Sequence, residues 1–159
     1  MAMRDEDEVI TGQQKYLNYR EQFKRLNKAL ANGFNLEAMF IEYAIMEDRT
    51  ESVLHHAGQW DAYLKSRKGR EANIDSKIKY IKKRAESRKD VLHRYFADDL
   101  LDEILKWKDE RNRLIHALLK QELEHDEIHQ LAEHGNELVK QLRNKAGNYN
   151  RMIDKQKDM

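Results

Sequence analysis

An all-α fold is what this sequence predicts, on three observations. Its 159 residues contain no proline and only six glycines, and these two residue types are the strongest helix breakers. Apolar residues recur at spacings of three and four along most of the chain, the period of an amphipathic helix. Charged residues make up 37% and apolar residues 40%, the balance expected of helices that share one core and turn a charged face to water. The length suits a single domain, 1–159, with a modest core.

The elements follow in order. A first helix from near Glu8 to Ala31 places Tyr16, Tyr19, Phe23, Leu26 and Leu30 on one face. "ANGFN" ends it: Asn32-Gly33 is a C-terminal signal, and Asn35 is read as the N-cap of a second helix, Leu36 to His56. Gly58 closes that helix. Segment 58–74, "GQWDAYLKSRKGREAN", has weak periodicity and a basic tip, so it reads as a mobile loop or short helix. A third, strongly basic helix runs from Ile74 to about Arg88. The fourth spans Asp98 to about Glu122, with Asp98 or Asp99 near its N-terminus, and the fifth runs from Asp126 to about Tyr149. Frayed ends are expected at about 1–7 and 150–159.

Net charge is only +1, but it is unevenly spread. Residues 65–94 hold twelve lysines or arginines against four acids, an excess of +8 that leaves about −7 for the rest of the chain. Such a block is an electrostatic footprint for a polyanion or simply a solvated face. With no cysteine there is neither a disulfide framework nor a thiolate site, which suits a reducing cytoplasm. No apolar run approaches the ~18–20 residues of a membrane span, and the acidic "MAMRDEDEVI" is unlike a signal peptide. A cytoplasmic protein with no membrane partner is expected.

The fourth helix carries the most informative irregularity. Leu100, Ile104, Trp107, Arg111, Leu114 and Leu118 form one continuous seam, and Leu101, Leu105, Lys108, Asn112, Ile115 and Leu119 a second row beside it. Arg111 and Asn112 thus interrupt both apolar rows. An ionised guanidinium in a dry core costs several kcal/mol unless it is paired, so Arg111 must face a carboxylate, a wet cleft or another subunit. His116 lies one turn beyond Asn112 on the same face and ~140° around from Arg111, an angle that a long arginine stem can close. In the plainer reading, Arg111 pairs with Glu47 or Asp48 and His116 is a surface residue.

"RNRLIH", residues 111–116, resembles the R-x4-H motif of the HEPN (higher eukaryotes and prokaryotes nucleotide-binding) family, in which a polar residue often follows the arginine. The resemblance implies a HEPN-like bundle of about five helices, with the basic middle segment as an insertion. It implies Arg111 and His116 as a catalytic pair and Asn112 as their polar companion, with Glu47 and Asp48 as candidate supports on the second helix. The function implied is a metal-independent endoribonuclease of a bacterial toxin–antitoxin or defence system. Two copies would form a homodimer with both motifs facing one cleft, alongside an antitoxin or other partner protein. Lys65, Arg67, Lys68, Arg70, Lys82, Lys83 and Arg84 are then candidate RNA contacts. A non-catalytic module binding nucleotide, RNA or protein is the alternative, and a structural adaptor with Arg111 in an internal salt bridge is a third reading. No cofactor or metal is expected. His125 and His129 lie four apart with Glu122 nearby, but a second Glu-x-x-His that would complete a metal-binding bundle is missing.

Overall fold

The computed structural model describes residues 12–158, and among them the secondary structure is entirely helical. The helices are α1 (Gly12–Ala31), α2 (Asn35–His56), α3 (Trp60–Ser66), α4 (Ile74–Ala85), α5 (Val91–Phe96), α6 (Leu100–Ala117) and α7 (His125–Lys157). The expected frayed segment 1–7 and a helix start at Glu8 lie outside the described residues.

α2 and α7 form the central pair and run parallel. His129 Nδ1 meets Asn35 Oδ1 at 3.0 Å near one end, and Asn150 Nδ2 donates to Ser52 Oγ at 3.1 Å near the other. α1 folds back along α2 through a three-residue turn. There Phe34 N–H reaches Ala29 O at 2.8 Å and Gly33 N–H reaches Leu30 O at 3.3 Å, with Gly33 at φ 74°. That is a Schellman motif, whose left-handed residue favours glycine. Gly58 (φ 67°) repeats it at the end of α2. α6 runs antiparallel to α7: Trp107 Nε1 donates to Leu131 O at 2.9 Å, and Arg113 pairs with Glu127 at 2.8 Å. One apolar core joins all seven helices, with Leu26, Met46, Tyr63, Ile78, Phe96, Trp107 and Leu142 among its buried residues.

Of the two readings of segment 58–74, loop or short helix, the structure has the short helix α3, whose Tyr63 is fully buried with its hydroxyl 2.6 Å from Ser76 Oγ. Four other expectations differ from the structure. A short α5 precedes α6, anchored by Phe96 and Tyr95 stacking edge-on against Tyr149. Asn35 is the first residue of α2 rather than its cap, buried and turned toward His129. The tail is helical to Lys157, because Tyr149 and Asn150 are buried and Ile153 packs on the core. In turn α6 stops at Ala117, short of the expected Glu122.

Gly135 marks the tightest approach in the bundle. A Cβ there would sit 2.3 Å from Glu42 Oε1 and 2.7 Å from Trp107 Cζ2, both side chains being buried. Glycine inside a helix ordinarily costs about 1 kcal/mol relative to alanine. Here overpacking, about 1–3 kcal/mol or more, reverses that preference. Gly135→Ala is therefore expected to lower the urea midpoint; an unchanged or higher midpoint would show that the contact is loose.

Candidate functional site

α6 begins as a buried helix and ends as an exposed one. Leu100, Leu101, Ile104 and Trp107 are buried, and so is Leu114 on the seam that faces α7. The second row leaves the core at Asn112, so Ile115 is 39% exposed and Leu119 is 99% exposed. Lys108, on the same row, stays buried because Asp75 of α4 and Asp109 (3.0 Å) both bind its ammonium. The chain leaving the basic loop therefore meets α6 one turn before Arg111.

Arg111 lies half-buried where this transition occurs. Its guanidinium stacks 4.5 Å above the Tyr43 ring of α2, and Nη1 donates to Asn112 Oδ1 at 3.2 Å. Its Nε is buried without a hydrogen-bond partner. Burial draws its pKa below the usual guanidinium value, and the nearby Tyr43 opposes the shift. Burial in turn raises the Tyr43 phenol, helped by Glu47 and opposed by Arg111 and Lys108. The ring thus remains a neutral platform at physiological pH.

No carboxylate forms an ion pair with Arg111 among the described residues. Asp48 turns instead to α1, where it accepts from the Tyr19 hydroxyl, pairs with Arg49 at 2.9 Å and with Lys15 at 3.5 Å. Glu47 faces Lys77 at 3.5 Å, and Glu51 completes that site at 3.3 Å. Both expected supports are thus held by other cations, for a simple reason. Consecutive helical positions point ~100° apart, so "ED" cannot present both side chains to α6. Tyr43 takes the place expected of a carboxylate. Sequence reasoning missed it because an aromatic at helical spacing looks like core.

Asn112 and His116 are exposed, and His116 occupies the last turn of α6. The structure thus places Arg111, Asn112 and His116 on the outer part of α6, with Tyr43 beneath the arginine. Exposed apolar residues occur on the same helices: Ile115 on α6, Leu118 and Leu119 just beyond it, and Leu36 and Phe40 on α2.

The basic block is only partly available. Arg67 donates to Glu71 O at 3.2 and 2.9 Å, and Arg70 to Arg67 O at 3.0 Å, so both help build the loop. Lys82 pairs with Asp102, and Arg84 with Asp90 at 3.1 Å. Lys65, Lys68 and Lys83 are exposed. His55 stacks on Trp60 at 4.6 Å, while His129 bonds Asn35, so these two histidines hold helix contacts. Among the described residues no helix is long and apolar enough to cross a membrane.

The role of the Tyr43 platform can be measured directly. A cation over an aromatic face is worth about 0.5–2 kcal/mol. Tyr43→Phe is expected to melt close to the wild type, whereas Tyr43→Leu should lose about 1 kcal/mol in urea titrations. Equal melting of both variants would show that the stack contributes nothing. Comparison with protein-family models, curated proteins and solved structures returns no match.

Proposed function

We propose that the chain is a metal-independent endoribonuclease of the HEPN type, working as a homodimer in a toxin or defence system. The observation that carries this reading is Arg111: a half-buried cation over the Tyr43 ring, with no carboxylate partner among the described residues, beside exposed Asn112 and His116. A guanidinium held this way keeps its charge and its planar fork for a phosphate. The exposed apolar residues on α2 and α6 support association with a second copy, which would bring two such sites together.

RNA supplies its own nucleophile. One imidazole takes the 2′-OH proton as O2′ bonds to phosphorus; Arg111 stabilises the charge gathering on the phosphoryl oxygens. The P–O5′ bond breaks, and a second imidazole, His116 of the other copy, returns a proton to O5′. The products are a 2′,3′-cyclic phosphate and a 5′-hydroxyl. Partner proteins such as an antitoxin belong to the same proposal.

A second reading has its own support. His116 has no hydrogen bond or ion pair among the described residues that would orient its ring, and an acid–base histidine is usually held by one. A module that binds RNA or nucleotide without cleaving it fits that observation. RNA incubated in EDTA with wild type, Arg111→Ala and His116→Ala separates the two. Cleavage lost in both variants supports the nuclease; binding without cleavage in the wild type supports the module. Cleavage that survives both substitutions sinks the proposed mechanism.

A further inference from the structure

A second basic surface lies outside the block that the sequence singles out. The N-terminal half of α1 and the C-terminal half of α7 enclose an open groove of about 840 Å³. Lys15, Arg20, Arg49, Arg143 and Arg151 line it, with no aspartate or glutamate among the described lining residues. Arg49 belongs to the floor: it stacks 4.3 Å over Tyr19 and donates to that hydroxyl at 2.8 Å and to Asp48 at 2.9 Å. The other arginines are not spent in this way. Arg143 lies 4.8 Å over the Phe23 ring, Arg151 donates to Asn148 Oδ1 at 2.5 Å, and Arg20 is exposed. None of these three has a carboxylate partner among the described residues. Tyr16 stands among them with 64% of its surface exposed.

We propose that this groove binds a single strand of nucleic acid, with phosphates on Arg20, Arg143 and Arg151 and a base stacked on Tyr16. Three features favour that ligand over an acidic protein or a membrane. The phosphate-binding cations are arginines, whose planar forks match phosphate oxygens, and one of them, Arg143, is held over a ring face before any ligand arrives. An exposed aromatic beside them supplies the sequence-tolerant stacking that single strands use. The described lining residues include no leucine, isoleucine, valine or methionine, so they offer a lipid chain or an amphipathic helix no aliphatic seat. The α1 side runs from Gly12 to Phe23, about 16 Å at the helical rise, long enough for more than one nucleotide.

The groove stands apart from the cleavage reading, and so does its test. The probe is a fluorescent oligodeoxythymidylate of about 12 nucleotides, which has no 2′-OH to attack. Anisotropy is read with the full chain in EDTA at several salt concentrations. Arg143→Gln with Arg151→Gln should weaken binding at least ~10-fold and flatten the salt dependence by about 0.7 per lost phosphate contact. Tyr16→Ala should weaken it at least ~5-fold. The readout is binding of a strand that cannot be cleaved, so a failed nuclease proposal would not disturb this result. Lys65→Gln with Lys83→Gln serves as the comparison in the basic block, and circular dichroism checks that each variant folds. The proposal is overturned if the groove variants bind like the wild type. It is equally overturned if the Lys65 and Lys83 changes account for the binding. Competition by polyaspartate as strong as by the oligonucleotide, with no effect of Tyr16→Ala, would overturn it in favour of an acidic protein ligand.

Discussion

Glu42→Met is expected to stabilise the protein by a few kcal/mol at neutral pH and to remove most of one pH dependence. Glu42 sits at the centre of the bundle, fully buried against Gly135 and Trp107, and neither of its carboxylate oxygens has a hydrogen-bond partner. Burial pushes its pKa from 4.5 up to about 9, and the nearby Glu133 adds to the shift. The sign follows from proton counting. Between those two values the folded state holds a proton that the unfolded chain releases, so stability falls as pH rises, by about 1 kcal/mol per pH unit for this group. The contribution is fully present below the unfolded value and is lost by the time pH passes the folded one. Asp48 acts in the opposite sense. Burial raises its pKa, but bonds from Tyr19 and Arg49 outweigh burial and hold it below 3.8, so its contribution is lost only in stronger acid. Methionine nearly matches glutamate in shape and needs no partner. Urea titrations at about pH 5, 7 and 9 test the prediction, with Glu42→Gln as the polar control that cannot ionise. If wild type and both variants show the same pH slope, Glu42 is not the source.

Much of this architecture is legible in the sequence, and the reasons differ by element. Gly33 and Gly58 were readable because a left-handed helix stop nearly demands glycine. The short helix α3 was readable only as an alternative to a loop, and α5 was not readable as an element. With seven and six residues, neither shows a full apolar period, and each is held by contacts from elsewhere: Tyr63 with Ser76, Tyr95 and Phe96 with Tyr149. The continuation of α7 was available in the spacing. Leu142, Ala146, Tyr149 and Ile153 extend one row by four, three and four, but the polar residues between them read as a loose end.

The candidate site was half legible for a similar reason. The position of Arg111 across the apolar rows is a local property, so spacing alone exposes it. What the arginine touches depends on how α2 lies against α6, and that register is not written in either helix by itself. Hence carboxylates at 47 and 48 looked suitable while Tyr43, one turn earlier, carried the contact. The groove between α1 and α7 is a stronger case. Its cations are separated by more than a hundred positions between Arg20 and Arg143, so no charge window along the chain can see them together. Conversely, the +8 block looked larger than it is, because Lys77, Lys82 and Arg84 each meet an acid in the folded structure.

Arg111→Ala is expected to cut RNA cleavage by about 10²–10³-fold while leaving the fold as stable as before or more so. Removing one donor aimed at a developing phosphoryl charge has about that effect on the chemical step. His116→Ala is expected to cost about 10²–10⁴-fold, since it removes proton transfer at both reacting oxygens of a symmetric site. Arg111→Lys should recover little, because an ammonium neither lies flat on Tyr43 nor offers a planar fork. Stability is what separates a functional role from a structural one. An arginine kept for the fold would be paired, and its loss would destabilise the protein. Here Nε is buried without a partner and no carboxylate among the described residues offsets the charge, so desolvation opposes folding, and the Tyr43 stack and the bond to Asn112 repay only part of it. Activity and stability should therefore move in opposite directions in Arg111→Ala. Single-turnover cleavage in EDTA and urea melts on the same samples read both quantities. A variant that keeps its cleavage rate, or that melts well below the wild type, would assign Arg111 to the scaffold. A loss that appears in KM alone would make it a binding group, whereas a loss in kcat would place its charge on the transition state.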